Sequence, residues 1–457
     1  MTVTSGTTIR PIEAIPGPPF LQVIKQAWKD PLDFLLNAAL AYGDPVRLRI
    51  RDENILVISH PDHLKHVLQD NYKNYVKGYE VTKPLLGEGL LTIEGHAWRK
   101  RRRLMQPMFH RRRIAAMADT MVAEIQKMLA RWEPYAASGQ PLDVAAEMMH
   151  MTRDVILATM FSSSISPEEA EAAGKAFQAA LAHFDRYMFM PVQLPDFVPL
   201  PGSRRFRRAI ETLDRIVYGL IRRRRAMANP PDDLLTMLIQ AQDEESGEGL
   251  SDAQIRDEVM TIFLAGHETT ANALAWTWYL LSLHPDVTRR MWAELDQVLA
   301  GRAPTFQDVA ELRYTTWIFQ EAMRLYPPAW IFARTAVAQD EIGGYTVPAG
   351  TPILISPYVT HRRPDLWPNP LGFDPERFTP EEVKKRHRFA YLPFSRGPRV
   401  CIGEGFAMAE GVLTLAAVGQ RYRLDLLPGF PVKPRSAGTL GAKHGIQMTL
   451  HPRKERG

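Results

Sequence analysis

Apolar and polar positions alternate in V-R-L-R-I (46–50) and again in N-I-L-V-I (54–58). This predicts a two-stranded hairpin soon after the Pro-rich P-G-P-P segment at 16–19. From Gly95 to about Leu283 the period changes, and apolar residues return every third and fourth position, as on helices with one buried face. Pro191, Pro195, Pro199 and Pro201 interrupt that pattern with a long loop. A second strand-like patch runs from Ile342 to Ile355, with turns at Gly343-Gly344 and at Pro348 to Gly350, and a last hairpin is predicted near Gly441 to Leu450. The chain therefore reads as mainly α with small β-sheets at one side, an α+β fold.

Length alone suggests about three domains. Yet no Gly/Ser linker, charge-block tail or internal repeat divides the 457 residues. One domain over 1–457 is expected, with residues 1–20 as an N-terminal extension ending in the Pro-rich segment. Hydrophobic residues at 45% and charged residues at 23% describe an ordinary soluble globular protein. The first 20 residues lack the apolar core of a signal peptide or membrane anchor. The most apolar later stretch, Val259 to Leu283, carries His267, Glu268 and Asn272, so it reads as a buried core helix. A net charge of +5 is too mild for nucleic acid, and no reader motif accompanies it.

Cys401 is the single cysteine, inside F-S-R-G-P-R-V-C-I-G (394–403). It excludes an intramolecular disulfide and a multi-cysteine zinc site, and it suits a reducing cytoplasm. A buried thiol, a nucleophile and a thiolate metal ligand remain. Gly397 and Gly403 permit turns that bring the sulfur up to a flat ligand. Arg399, two residues before the sulfur, favours a thiolate or pairs with an anionic cofactor. A helix-like stretch beyond Gly403 would turn its N-terminus toward the same negative charge.

This string resembles the cysteine-ligand loop of the cytochrome P-450 family, the haem-thiolate monooxygenases, whose pattern is F-x-x-G-x-R-x-C-x-G. Phe394, Gly397, Arg399, Cys401 and Gly403 meet every specified position. A chance match is improbable on average residue usage. The resemblance covers nearly the whole chain. It implies the cytochrome P-450 fold, with haem b (iron protoporphyrin IX) between a long central helix and the cysteine loop, and Cys401 as the iron ligand.

Three further motifs fit. A-G-H-E-T-T (265–270) lies mid-helix, where glycine and threonine alone would mark a kink, and Glu268 in an apolar helix needs a partner. By resemblance Ala265 and Gly266 make an oxygen groove, Glu268 is the acid and Thr269 the alcohol of a proton relay. Q-E-A-M-R-L-Y-P-P places Glu321 and Arg324 at i and i+3, alone no more than a common helix pair. It resembles the family's E-x-x-R, whose partner is the arginine of P-E-R-F, here Arg377, in a structural triad. G-H-A-W-R-K-R-R-R-L (95–104) reads alone as a solvated basic helix face. By resemblance Trp98 and Arg102 hold a haem propionate, and Arg334 and Arg399 complete that set. Arg99, Lys100, Arg101, Arg103 and Arg111 to Arg113 would face the cysteine side and dock an acidic electron donor. Arg222 to Arg225 reads as a solvated face.

The resemblance implies a cytoplasmic monooxygenase of the soluble bacterial type. It would insert one oxygen atom of O2 into a fatty acid, terpene or steroid-like molecule, with electrons from a separate ferredoxin or flavodoxin-type donor and its reductase. The segment F-D-R-Y-M-F-M (184–190) is expected in a lid and Ala329 to Phe332 over the haem. The rivals are a haem-thiolate peroxygenase or isomerase and a non-enzymatic haem sensor. Glu268 with Thr269 argues against the first, which has less need of an oxygen-activating relay.

Overall fold

A computed structural model of the chain describes residues 9–27, 29–50, 52–162, 165–188, 202–243 and 247–453. They group into two compact units, Met1–Tyr79 with Met323–Cys401, and Glu80–Ala322 with Ile402–Gly457. The expected lid residues 189 and 190 and the proline loop lie outside the described residues, as do the side chains of 184–188.

The first unit is built on a five-stranded sheet ordered Val46–Ile50, Glu53–Ile58, Pro352–Ile355, Phe332–Ala336 and Tyr75–Lys77. The hairpin predicted from alternation forms its edge, with Val46 opposite Val57 and Leu48 opposite Ile55. Period-2 alternation puts Leu56, Ile58, Ile353 and Ile355 on one face, where they join Tyr75, Phe389 and Leu392 in a buried core. The strand-like patch at 342–355 resolves into two pieces. Tyr345–Val347 pairs with Asp340–Ile342 across the Gly343-Gly344 turn, and Pro352–Ile355 enters the large sheet.

The second unit is helical. Its longest element, the central helix Asp252–Leu283, starts at a capping box in which Ser251 and Gln254 satisfy each other's backbone N–H groups. It is buried along most of its length, which explains a sequence apolar on several faces. Around it in the chain lie the basic helix Gly95–Met105 and the helices Arg111–Ser138, Val144–Phe161, Ser203–Arg225 and Glu404–Arg421. The hairpin expected near Gly441 to Leu450 does not form. Leu440–Ala442 pairs with Pro434–Ser436, whereas Gln447–Pro452 joins Tyr422–Leu426 and Leu142–Asp143. Gly445, at positive φ, turns the chain from one sheet to the other. Among the described residues no helix is long and apolar enough to cross a membrane.

Candidate active site

In the first unit the cysteine loop closes through its own main chain. The Cys401 N–H donates to the Phe394 carbonyl at 2.9 Å, and the Val400 N–H to the Gly397 carbonyl at 3.1 Å. Gly397 sits at φ +77°, and a Cβ there would lie 2.1 Å from the Leu68 carbonyl oxygen. No other residue fits that turn without moving backbone. Cys401 is exposed at the end of this loop. Two residues later Gly403 caps the helix Glu404–Arg421. Phe394 is half-buried at the start of the loop.

His361, which no sequence pattern flags, anchors the loop. Its Nε2 accepts the Leu392 N–H at 3.0 Å, so Nδ1 carries the hydrogen and donates to the Arg324 carbonyl at 3.1 Å. Its ring stacks on Tyr391 with centroids 5.3 Å apart. Complete burial, followed by the nearby Arg324 charge, holds its pKa well below the ordinary value and keeps it neutral. Arg324 is itself fully buried and donates to the carbonyls of His361, Pro370 and Gly372 at 2.7–2.9 Å. Glu321 is buried on the same helix, Arg313–Leu325, and half-buried Arg377 donates to the Asn369 carbonyl at 2.9 Å. All of this is scaffolding.

Cations gather on the sheet of the same unit. Arg334 is buried on the strand Phe332–Ala336, directly opposite Lys77, which is also buried. Arg399 donates to the Tyr75 carbonyl at 2.5 Å, on the strand that carries Lys77. Two buried cations side by side on neighbouring strands suit an anionic ligand. Lys77 escaped the sequence reading because a single lysine in a three-residue strand has no pattern. Trp330 and Phe332, expected over the haem, are buried, while Ala329 and Ile331 are half-buried.

In the second unit the central helix is open where the motif lies. Ala265 is exposed, and Leu264, Gly266 and Thr269 are half-buried between buried neighbours. The Thr269 hydroxyl donates back to the Ala265 carbonyl at 2.6 Å, as the threonine in this sequence suggested. Glu268, 9% exposed, finds the partner its burial demands, since its Oε1 accepts the Thr439 hydroxyl at 2.7 Å. Thr439 in turn accepts from Asn272 at 2.9 Å. A Cβ on Gly266 would meet Ile156 Cδ1 at 3.1 Å, so its bare side is turned to the helix Val144–Phe161. His267 is buried, and its pKa is pushed down to about 4 by burial and then by Arg153 and His150. Glu410 on the last long helix is completely buried, and burial raises its carboxyl well above the usual range, with Thr270 opposing the shift.

The basic helix departs from expectation. Trp98 is buried and Arg102 half-buried one turn on. Three of its other cations are paired with acids. Arg101 is 6% exposed and donates to Glu258 at 2.5 Å, Arg103 to Asp243 and Lys100 to Glu248, each at 2.7 Å. Arg113 pairs with Asp232, and Arg99, Arg103, Arg111 and Arg112 are the exposed members of the expected docking face. In the run at 222–225 the solvated-face expectation holds for Arg222, Arg223 and Arg225, which are exposed, and fails for Arg224. Arg224 is buried against Asp233 and Thr236, while Arg223 and Arg225 pair with Glu169 and Asp252. A remote acid buries Arg224, which a charge run cannot announce.

These residues fit a haem: an exposed cysteine in a loop shut by its own main chain, and arginines and a lysine matched to two propionates. The sequence model of the family described as Cytochrome P450 matches residues 14–450. Cyclooctatin synthase of Streptomyces melanosporofaciens is 40% identical over 93% of this chain and 92% of its own. The cyclooctat-9-en-7-ol 5-monooxygenase of the same organism is 37% identical over 90% of this chain and 89% of its own. Among solved structures, the heme domain of cytochrome P450DA superposes with a TM-score of 0.88 at 29% identity, covering 96% of this chain and 97% of that one.

Proposed function

The chain belongs to the cytochrome P450 family, and on that premise we propose that its substrate is a cyclic terpene. The enzyme is a haem-dependent monooxygenase that places one oxygen atom of O2 in a lipophilic small molecule. The names of the Streptomyces relatives, cyclooctatin synthase and cyclooctat-9-en-7-ol 5-monooxygenase, support a cyclic lipophilic substrate of this class. When bound, the haem supplies the iron at which dioxygen is activated, and the thiolate pushes electron density that favours O–O cleavage.

The observation that carries the site is the exposed Cys401 in a loop shut by its own amide. In this reading Cys401 ligates the iron, with Phe394 and Gly403 shaping the sulfur's surroundings. Trp98, Arg102, Arg334 and Arg399, joined by Lys77, neutralise the propionates. Ala265 lines the oxygen groove, and Gly266 lets the helix Val144–Phe161 approach beside it. Glu268 takes up and hands on protons at its carboxyl, steadied by Thr439, and the Thr269 hydroxyl passes them forward. Residues 1–457 act as one haem domain in the cytoplasm, and a ferredoxin or flavodoxin-type protein with its reductase delivers the electrons.

The test is a panel of cyclic terpenes, fatty acids and steroids added to the ferric enzyme. A shift of the haem absorption band and an NAD(P)H-dependent product with a surrogate ferredoxin are expected for terpenes. Shifts and products confined to fatty acids or steroids refute the substrate class. Turnover with peroxide but none with the redox chain favours the peroxygenase. For the relay, Thr269→Ala should keep haem and substrate binding yet divert electrons to hydrogen peroxide. Unchanged coupling with weaker binding makes Thr269 a packing residue.

A further inference from the structure

The basic helix is gripped on both flanks. Successive helical residues turn by about 100°, so Arg101 and Arg103 project to either side of Arg102. On one flank Glu258 Oε1 accepts from Arg101 at 2.5 Å, and its Oε2 accepts the Leu90 N–H at 3.1 Å, just ahead of the helix. Arg101 also reaches the Glu88 carbonyl at 3.4 Å. On the other flank Asp243 accepts from Arg103 at 2.7 Å. The acid side chains are 0% and 2% exposed, so neither can swing away into water. Lys100 pairs with Glu248, whose side chain is 72% exposed, and such a pair contributes little.

Nothing in the chemistry of haem binding requires either acid, since both are anions that touch other cations. Their effect is mechanical. A helix held at a single point can roll about its axis, whereas one held on both flanks cannot. Roll is what decides where Trp98 and Arg102 point, because they occupy one face at i and i+4.

We propose that Glu258 and Asp243 are positioning residues that fix the rotation of the basic helix and so hold Trp98 and Arg102 toward a haem propionate. This rests on the propionate reading of those two residues given above. The carboxyl of Glu258 is pushed up to about 7 by burial, which outweighs the opposing pull of Arg101. That balance fits a carboxylate retained for position despite its desolvation.

The test compares holoenzymes carrying Glu258→Gln, Asp243→Asn, Arg101→Lys and Arg102→Ala. Haem transfer to excess apomyoglobin and amide exchange of residues 95–105 are followed, with urea midpoints as a check on global stability. Glu258→Gln and Asp243→Asn should each raise exchange in that helix and release haem roughly tenfold or more faster, the scale seen when an outer partner of a ligand is lost. Arg101→Lys, which keeps the charge, should stay near the wild type. Haem release at the wild-type rate despite faster exchange overturns the proposal, as does unchanged exchange. A haem-release change that only follows the loss in urea midpoint, and that Arg101→Lys shares, also overturns it. If Glu258→Gln does not fold, Asp243→Asn decides alone, because Arg103 is more exposed and tolerates the loss. Arg102→Ala separates the two layers: if it keeps haem as well as the wild type, the propionate reading has failed, whatever the exchange shows.

Discussion

The cysteine loop and the basic helix are both short motifs with a strong sequence signature, yet they are held in opposite ways. The loop is closed by main-chain bonds between residues seven and three apart, Cys401 to Phe394 and Val400 to Gly397. The basic helix is clamped by buried acids 140 and 157 residues away. When a motif is held by its own backbone, its geometry is written in its residue types, here a glycine at positive φ. When it is held by remote side chains, a run of arginines looks the same whether water or a buried carboxylate receives it.

The comparison breaks first at the sulfur. Cys401→His is expected to move the carbon monoxide band of the reduced protein from the long-wavelength position of thiolate-ligated haem to that of imidazole-ligated haem. An unchanged spectrum would place the iron ligand elsewhere and remove the loop from the chemistry.

Next in size is the clamp. Arg101→Ala leaves Glu258 buried without its cation, a loss of about 3–5 kcal/mol for a pair of this kind. Arg99→Ala, at an exposed position of the same helix, should change stability by no more than about 0.5 kcal/mol. Equal urea midpoints for the two variants would mean that the run is a solvated face after all.

The loop also has remote anchors, Arg399 to the Tyr75 carbonyl and His361 beside it, and pH reveals the second. His361 is neutral in the fold, with a pKa held well below its ordinary 6.5 by burial and then by Arg324. The unfolded chain therefore binds the extra proton first. The stability that His361 contributes is fully present above about pH 6.5 and falls as pH drops below it, by up to about 1.4 kcal/mol per unit. His361→Gln keeps an acceptor for the Leu392 N–H but cannot titrate, so its unfolding free energy should depend less steeply on pH between 7.5 and 5. Identical slopes would separate His361 from acid unfolding.

The smallest effect on stability belongs to the arginines that stay exposed. Arg111→Glu with Arg112→Glu should leave the urea midpoint within about 0.5 kcal/mol of the wild type. Reduction by a ferredoxin-type donor should slow, and its salt dependence should flatten, because rim charges act mainly on association rate. Stopped-flow rates that match the wild type at low and high salt would put the donor on another surface.

Much of the site was legible. The Thr269 bond to the Ala265 carbonyl follows from a threonine four residues after a carbonyl in a helix. That Glu268 must have a partner followed from its apolar neighbours, although Thr439, 171 residues on, did not. His361, Lys77 and Glu410 were invisible for one reason: each is a single polar residue whose role depends on what the fold packs against it. The hairpin predicted at Gly441 to Leu450 failed because alternation specifies strands but not which sheet takes them.

By itself the sequence determined the helical and strand periods, the cysteine loop, the threonine bond back to the preceding turn of the central helix and the family to which the chain belongs. These rest on local forces, the sterics of φ and ψ, the burial of one helix face and hydrogen bonds within a few residues. Only the tertiary structure decided that Arg101 and Arg224 are buried rather than solvated, that Arg103 reaches a buried acid, that Lys77 stands opposite Arg334, and that a neutral His361 ties Arg324 to the cysteine loop. The physical reason is desolvation. A charge or imidazole has one meaning in water and another when buried, and which holds for a given residue depends on neighbours from distant parts of the chain.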